Sequence, residues 1–286
     1  MIDIQHFKYC ALAAAILLCS LGPAHAQSES PAAVDAATNT ETVVTVARDG
    51  YSIAGLVTQL QTVKKFKYAI ALFPGYPGIL RLREENGRAV FELGGNFLVR
   101  ARNDWLDPET LVVTIDAPSD QWRTFSQNFR ESARYGADVA ALLGEIGRQH
   151  GVEDWTFVGT SEGSISAFQA ARMNPQLARR TILTASLFLP TRNGSGLSDI
   201  KVSDLTMPLL WVHHESDPCE YTPYRQAVEF SRKSHAPLIT VKGGSSGYGD
   251  ACKARTAHGF IGIERETVLA MRNWVMTGTA PAELTK

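Results

Sequence analysis

The stretch Asp154–Ser164, DWTFVGTSEGS, decides the fold, because it joins a strand to a helix through a turn that contains two glycines. The apolar run at 154–159 predicts a buried strand, and the residues after Gly163 have helical spacing. Since Gly159 and Gly163 have no Cβ, the backbone between them can make a sharp strand-to-helix turn. Ser161 would then project above the sheet at a helix N-terminus, where developing negative charge is stabilised. The G-x-S-x-G pattern alone is weak, and the alternative is a serine that only caps a helix.

Strand patterns alternate with helix patterns on both sides of this stretch. The predicted strands are 41–47, 51–59, 67–73, 110–118, 154–159, 180–189, 208–214 and 237–243, and the predicted helices are 130–151, 162–174, 222–234 and 260–277. This alternation predicts an α/β fold with a mostly parallel sheet of about eight strands and helices on both faces. The Asp49-Gly50 turn predicts that the first two strands form an antiparallel pair at one edge. In such sheets functional groups lie at the carboxyl ends of the strands, so chemistry is expected just after 73, 118, 159, 189, 214 and 243.

The N-terminal residues predict export. Lys8 precedes an apolar run at 10–21, and Ala24-His25-Ala26 fits signal peptidase, so residues 1–26 are predicted to be a signal peptide cleaved after Ala26. The apolar run is too short to span a hydrocarbon core of about 30 Å, although an uncleaved anchor is the alternative. Residues 27–40 are small and polar and predict a flexible leader, which leaves 41–286 as the folded domain. The predicted location is periplasmic or secreted, with no stable membrane insertion after cleavage.

Composition narrows the class of protein and of partner. The 286 residues are 44% hydrophobic, enough to bury a sizeable core, and the formal charge of −1 gives no reason to expect nucleic acid as a partner. Cys10 and Cys19 would leave with the signal peptide. The remaining pair, Cys219 and Cys252, would most simply form one disulfide in an exported protein.

A serine hydroxyl becomes a nucleophile only when a base removes its proton and an acid orients that base. His258 lies in a loop after the last predicted strand and before the last helix, at the end of the sheet where Ser161 is expected. Asp217 follows the strand at 208–214 by a few residues. Glu215 competes with it for the acid role, and Asp116 and Asp120 follow another strand end, where Asp120 is an alternative displaced acid.

The order Ser161, Asp217, His258 is the Ser…Asp…His order of α/β-hydrolases, and from about residue 41 to its end the chain resembles that superfamily. The resemblance implies Ser161 as nucleophile, Asp217 as acid and His258 as base. It also implies an oxyanion hole formed by the backbone N–H groups of Glu162 and Tyr76, because LFPGYPG at 72–78 is similar to the family's HGFPG-like loop. Pro74 stands where histidine is common in the family, and a tight turn without catalytic role is the alternative.

The segment WVHHESDPC at 211–219 first suggests a metal site. His213 and His214 are adjacent on a strand, however, so their side chains point to opposite faces and do not readily share one ion. If the triad forms, the loops that carry Cys219 and Cys252 lie side by side. We therefore predict a disulfide between these two cysteines, no metal and no cofactor.

The segment 78–109 and the absence of a large insertion bear on the substrate. About nineteen residues separate the strands near 189 and 209, too few for a large helical cap, so the lid is predicted to be small or absent. The segment 78–109 carries arginines at 81, 83, 88, 100 and 102, which form either a solvated face, the favoured interpretation, or a site for an acidic substrate.

The favoured function is an exported serine hydrolase that cleaves a small-molecule or polymer-attached carboxylic ester through an acyl-enzyme. An amidase or peptidase with the same triad is the first alternative. A non-catalytic binding protein on a hydrolase scaffold is the second, and an intact set of serine, aspartate and histidine argues against it.

Overall fold

The fold is built on a nine-stranded β-sheet. The computed structural model describes residues 39–63 and 65–286. The strands, in chain order, are β1 (Asn39–Ala47), β2 (Ser52–Leu60), β3 (Tyr68–Phe73), β4 (Arg83–Glu85), β5 (Arg88–Val90), β6 (Thr110–Ile115), β7 (Trp155–Thr160), β8 (Ala178–Thr184), β9 (Leu209–His214), β10 (Leu238–Lys242) and β11 (Glu283–Thr285). Their order in the sheet is β1-β2-β6-β3-β7-β8-β9-β10-β11, and β4 and β5 form a separate hairpin. From β6 to β11 in that order all neighbours are parallel, whereas β2 is antiparallel to both β1 and β6.

Helices connect the strands of the sheet. The α-helices of the described residues are α1 (Phe97–Arg100), α2 (Gln127–Arg130), α3 (Ala133–His150), α4 (Glu162–Met173), α5 (Tyr224–Ser234) and α6 (Glu264–Thr277). Short 3-10 helices span Arg102–Trp105, Ser119–Gln121, Val202–Asp204 and Ala257–Gly259. In α3 the Ser132 side chain accepts the Tyr135 N–H at the start, and Gly151 closes the end with a φ of 69°.

Both faces of the sheet are covered, as β3 illustrates. Ala69, Ala71 and Phe73 belong to an apolar cluster with residues of α3, α4 and α5. Ile70 and Leu72 belong to a second cluster with residues of α1 and α6. Because successive strand side chains point to opposite faces, a strand between two helical layers has to be apolar at every position. The predicted mostly parallel sheet with helices on both faces is confirmed.

The structure differs from the predicted elements at several places. β1 begins at Asn39, so residues 39 and 40 of the predicted leader pair with β2 instead. The strand predicted at 180–189 ends at Thr184, because the apolar residues that follow, among them Leu187 and Phe188, are buried without joining the sheet. The sequence missed β11, a three-residue strand that pairs parallel with β10. The predicted signal peptide and the rest of the leader lie outside the described residues.

The segment 78–109 folds onto the body of the protein. It contains the β4–β5 hairpin, α1 and a 3-10 helix, and the Asp116 carboxylate accepts the N–H groups of Leu80 (2.6 Å) and Leu82 (2.9 Å). Between β8 and β9 the chain forms only one short 3-10 helix and no helical cap. Within residues 39–63 and 65–286, no helix has the length and apolar character needed to cross a membrane.

Candidate active site

Ser161 occupies a strained turn between β7 and α4. Its φ of 54° and ψ of −127° are unusual for a residue with a side chain, and such conformations cost on the order of 1–3 kcal/mol. The backbone is held on both sides, because Ser161 N donates to Thr184 O (3.1 Å) and Ser164 N donates to Ser161 O (2.9 Å). The Ser161 side chain makes no capping hydrogen bond to α4, so it is not an ordinary cap serine.

Glycines around the turn are required by close backbone contacts. A Cβ on Gly159 would lie 2.3 Å from Gly163 O, and a Cβ on Gly163 would lie 2.0 Å from Phe73 O. A Cβ on Gly75 would lie 2.9 Å from Thr160 O and 3.0 Å from Ser161 Cβ. The loop after β3 therefore packs directly against the turn that carries Ser161.

Asp217 and His258 lie in contact at the carboxyl end of the sheet. The His258 Nδ1 atom is 3.0 Å from Asp217 Oδ2 and 3.2 Å from Oδ1. Asp217 Oδ1 also accepts the N–H of Cys219 at 2.9 Å. The Thr222 hydroxyl, which the sequence gave no reason to single out, donates to Asp217 Oδ2 at 2.9 Å and lies 3.2 Å from His258 Nδ1.

His213 completes the surroundings of the buried carboxylate. Its Nε2 atom lies 3.3 Å from Asp217 Oδ2 and 2.7 Å from Thr222 O. Burial by itself would raise the pKa of Asp217, but the hydrogen bonds and charges of His213 and His258 outweigh it and hold that pKa well below its usual range. Asp217 is therefore an ionised acceptor that can fix the orientation of His258.

The competing carboxylates lie elsewhere. Glu215 is exposed, with Lys242 Nζ at 3.8 Å, and Asp120 pairs with Arg134 at 2.7 Å. Asp116 is buried beneath the segment 78–109, where burial raises its pKa to about 6 in spite of the backbone N–H groups that it accepts. None of the three is near enough to His258 for a hydrogen bond, so Asp217 is the carboxylate that the structure brings to the histidine.

Ser161 and His258 line the same cavity, which has a volume of about 440 Å³. His258 is only 4% exposed, and its contact with Asp217 leaves Nε2 as the ring nitrogen available toward the cavity. Among the described residues, no hydrogen bond joins the Ser161 hydroxyl to His258. Hydrogen bonds between a nucleophile and its base are often long before substrate binds and shorten in the complex, so the missing bond does not exclude His258 as the base.

Tyr76, one of the two residues predicted to supply N–H groups to an oxyanion hole, borders the same cavity, and the other, Glu162, directly follows Ser161 in the chain. Gly75, Tyr76 and Pro77 line the cavity beside Ser161. Glu162 is the first residue of α4, where helical N–H groups have no partner within the helix. In the described part of the chain the Tyr76 N–H makes no hydrogen bond to another residue either.

Asn96 is a lining residue that the sequence did not reveal. It is 9% exposed, and its Oδ1 atom accepts the Leu98 N–H at 3.1 Å as the cap of α1. This contact turns Asn96 Nδ2 away from the helix and toward Gly75, where an added Cβ would lie 3.5 Å from Nδ2. Within the described residues no acceptor satisfies Nδ2, so the amide offers its N–H groups to the cavity.

Arg130 joins the two sides of the turn from below. It is fully buried, and its guanidinium donates to Ser166 Oγ (2.7 Å), Pro77 O (2.9 Å) and Glu162 Oε2 (3.3 Å). The guanidinium also lies 3.8 Å above the Phe125 ring. Burial lowers the pKa of Arg130, which the charge of Glu162 counteracts. One cation therefore contacts both the loop after β3 and the first residue of α4.

A disulfide links the loops that carry the acid and the base. Cys219 and Cys252 have a Cα–Cα distance of 4.5 Å and are 33 residues apart in sequence. His213 and His214 make separate contacts, since His214 Nε2 lies 3.0 Å from Gly243 O, across the strand from Asp217. No group of three or more His, Cys, Asp or Glu side chains in residues 39–63 and 65–286 has a geometry that could hold a metal ion.

Comparison with known proteins identifies the fold. No protein-family model and no curated protein matches the sequence. The structure is similar to Est1E from Butyrivibrio proteoclasticus, with a TM-score of 0.56 and 16% identity over 82% of this chain and 97% of that chain. It is also similar to a cold-adapted esterase from an Arctic intertidal metagenomic library, with a TM-score of 0.54 and 13% identity over 82% of this chain and 94% of that one. A third similar structure is an α/β serine hydrolase without lid from Xanthomonas campestris, with a TM-score of 0.52 and 13% identity over 80% of this chain and 94% of that one.

These similarities confirm the predicted fold class. The chain has the α/β-hydrolase fold, with a mostly parallel sheet and no large lid between β8 and β9.

Proposed function

We propose that the protein is an exported serine hydrolase that cleaves a carboxylic ester through an acyl-enzyme. The observation that carries the proposal is the pairing of Ser161 with His258 in one cavity. Ser161 has a strained backbone and a side chain that does not cap α4, and the Nδ1 atom of His258 contacts the ionised Asp217. An α/β-hydrolase fold with these side chains at the carboxyl ends of its strands supports acyl transfer over a binding role. The similar structures described as esterases favour an ester over an amide.

Each residue has a role in the proposed reaction. Ser161 Oγ attacks the ester carbonyl while His258 Nε2 takes its proton and then delivers it to the leaving alcohol. Asp217 and Thr222 hold the imidazole through Nδ1 and stabilise its protonated form. Water then attacks the acyl-enzyme with His258 as base, which releases the acid and regenerates Ser161.

Negative charge that develops on the carbonyl oxygen needs fixed donors. The N–H groups of Tyr76 and Glu162 are the proposed backbone donors, and we infer that Asn96 Nδ2 is a side-chain donor to the same oxygen or to its neighbour in the substrate. Support for the third donor is its position beside Gly75, where its partner-free N–H groups border the cavity of Ser161.

Export is part of the proposal. The Cys219–Cys252 disulfide is characteristic of oxidising compartments, and the N-terminal sequence has the pattern of a cleaved signal peptide. Mass spectrometry of the protein from a secreting host should give a mature N-terminus at Gln27. An intact N-terminus in the exported fraction would contradict cleavage after Ala26.

The test of the proposed chemistry is covalent labelling. A fluorophosphonate should label the purified protein at Ser161, and Ser161→Ala should remain unlabelled although it is folded by circular dichroism. Absence of labelling of folded wild-type protein would overturn the serine-hydrolase proposal. Comparison of 4-nitrophenyl esters with anilides of the same acyl group then separates an esterase from an amidase or peptidase, for which the anilides would be cleaved at comparable rates.

A further inference from the structure

The charged side chains around the cavity of Ser161 have one sign. Of the described residues that line the cavity, Lys253 and Arg255 are cationic, and none carries a carboxylate. Both cations are exposed, and each lies near an exposed tyrosine ring. Lys253 Nζ is 5.7 Å from the Tyr76 ring centroid, and the Arg255 guanidinium is 5.6 Å from that of Tyr248. We call Lys253, Arg255, Tyr76 and Tyr248 the cationic rim.

We propose that the cationic rim selects esters that carry a negatively charged group on the acyl or the alcohol part. This inference rests on the proposed hydrolase function and adds the substrate class. Opposite charges attract across a partly solvated rim, so an anionic ester enters and stays more readily than a neutral ester of the same shape.

The two cations are available to a ligand because no acid neutralises them. Within the described residues neither Lys253 nor Arg255 has a carboxylate within salt-bridge distance. Asp250 is near in sequence, but its Oδ1 atom accepts the Cys252 N–H at 3.0 Å. Four of the five arginines of the segment 78–109 differ in this respect, because each pairs with a glutamate, as Arg100 does with Glu264 (2.9 Å) and Arg102 with Glu41 (2.6 Å). The acidic-substrate role considered for that segment therefore fits the rim better.

The backbone that carries Lys253 and Arg255 is held in place by contacts with neighbouring residues, so both side chains start from a fixed point relative to His258. Cys252 is fixed by its disulfide, and Tyr248 N donates to Arg255 O at 2.8 Å. The Thr256 hydroxyl donates to Lys253 O (2.9 Å) and Ala251 O (3.1 Å), and its oxygen accepts the His258 N–H (3.2 Å). The segment that presents the cations thus leads directly into the proposed catalytic histidine.

The two tyrosines of the cationic rim enlarge the surface that a substrate can contact without adding charge. Tyr76 is 59% exposed and Tyr248 is 64% exposed, unusually high fractions for large side chains. A flat or extended substrate can pack on these rings while its anionic group meets Lys253 or Arg255, because tyrosine combines an apolar face with a polar edge.

The experiment uses two matched substrate pairs. Monoanionic 4-nitrophenyl adipate and its neutral methyl ester place the charge on the acyl part. The anion of 4-acetoxybenzoic acid and its neutral methyl ester place it on the alcohol part. The rates are corrected for spontaneous hydrolysis and for the different leaving groups of the second pair. We expect kcat/KM to be about tenfold higher for the anionic member of at least one pair at low salt, mainly because its KM is lower.

Substitutions identify the origin of that preference. Lys253→Gln and Arg255→Gln should each lower the anionic-to-neutral ratio by about threefold, and the double variant should bring it near unity. Salt of about 0.5 M should have a similar effect on the wild type, since it screens exposed charges. Lys67→Gln is the matched control, because Lys67 also lies near a tyrosine ring, at 5.1 Å from that of Tyr68, but borders a different cavity. This variant should retain the wild-type ratio.

The outcomes separate the two proposals. Hydrolysis of the neutral esters with no preference for either anionic ester would overturn the substrate class and leave the hydrolase proposal intact. A preference that survives in the double variant would show that the rim is not its source. No hydrolysis of any ester, together with no fluorophosphonate labelling, would instead contradict the proposed function itself.

Discussion

Asp217 retains its negative charge inside the protein because donors surround both of its oxygens. Cys219 N, the Thr222 hydroxyl and His258 Nδ1 all lie within 3.0 Å of one oxygen or the other. These contacts lower the pKa of Asp217 below that of an aspartate in the unfolded chain, although burial opposes the shift. The ionised carboxylate should therefore contribute to stability as well as to catalysis.

The first prediction concerns pH and stability. Because the folded-state pKa of Asp217 is lowered, its contribution is present above the unfolded pKa of about 3.9 and is lost as pH falls toward the folded value. Near neutral pH, we expect wild type to exceed Asp217→Asn by about 3 kcal/mol in the free energy of unfolding. Urea denaturation across the acid range measures the difference, which should shrink below about pH 4.

Asp120→Asn is the control for this measurement. Asp120 pairs with a cation too, Arg134, but its side chain is 35% exposed, so its substitution should change stability by less than about 1 kcal/mol. A difference between wild type and Asp217→Asn that grows as the pH falls would contradict the assigned direction of the pKa shift.

The second prediction concerns Asn96 as a donor. Asn96→Ser keeps an oxygen that can cap α1 but removes the amide N–H groups, and serine is among the preferred caps. We expect kcat to fall by about 10²-fold with little change in KM or Tm, since a transition-state donor acts mainly on kcat. Steady-state kinetics with a 4-nitrophenyl ester and thermal denaturation measure the two quantities.

Asn96→Asp extends the same comparison, because it retains the shape of the side chain and the capping oxygen but places an acceptor near the developing oxyanion. Its kcat should be no higher than that of Asn96→Ser. Unchanged kcat in both folded variants would remove Asn96 from the proposed mechanism.

At the residue level, sequence was informative where chemistry restricts residue type and chain order. Ser161, Asp217 and His258 could be selected because each follows a predicted strand, and the structure brings Asp217 and His258 into contact. Thr222, Asn96 and Arg130 could not be selected in this way. Their contacts depend on how loops cross after the sheet has formed, and threonine, asparagine and arginine are common at positions with no such role.

Among the secondary-structure elements, α2 and α4 are joined through buried charges. Arg130 from α2 has a side chain that is 1% exposed, and it pairs with Glu162, the first residue of α4. The same guanidinium donates to Pro77 O in the loop after β3. The orientation of α2 relative to α4 therefore depends on an ion pair in which either buried charge would destabilise the fold without the other.

The third prediction tests this pair. Arg130→Met leaves the Glu162 carboxylate buried without its cation and should lower the free energy of unfolding by about 3–5 kcal/mol. Arg130→Met combined with Glu162→Gln should recover part of the loss, because the uncompensated charge is gone. Urea denaturation of the two single variants and the double variant near neutral pH gives the coupling energy. Strictly additive effects would contradict a direct interaction.

The fold could be predicted from the sequence, but the ends of its elements and its peripheral strand could not. The alternation of apolar strands and amphipathic helices follows from burial on both faces of the sheet, as in β3 and α3. Burial without strand pairing gives the same apolar pattern, which is why the end of β8 was predicted five residues too late. A peripheral strand such as β11 is mostly exposed and has only three residues, so it has little pattern to detect.

For the molecule as a whole, the Cys219–Cys252 disulfide connects two loops that belong to different strand ends. On the chain-entropy model, closing a loop of this length stabilises the folded state by about 4 kcal/mol. It also restrains the residues on either side, because Cys219 N contacts Asp217 and the segment after Cys252 continues to His258. Stability and activity should therefore respond together when it is removed.

The fourth prediction follows from this connection. Cys219→Ala/Cys252→Ala should lower Tm by about 10 °C and reduce kcat/KM, and a reducing agent should do the same to the wild type. The double variant provides the control for the reductant, since it should be insensitive to it. Two free thiols in the non-reduced mature protein, or a wild type indifferent to reduction, would contradict this role.

The contacts of Gly159 and Gly163 have a consequence for tracing hydrolases through evolution. Both glycines are required by backbone atoms that approach where a Cβ would stand, and neither contact involves the Ser161 hydroxyl. Selection for folding alone would preserve them in a descendant that had lost Ser161, the proposed nucleophile. In such a lineage the glycines of the signature would mark shared ancestry, while the residue between them would be free to drift. A genome survey that searches only for the two glycines would then find members of the fold whether or not they keep the serine, and the residue between the glycines would have to be checked separately.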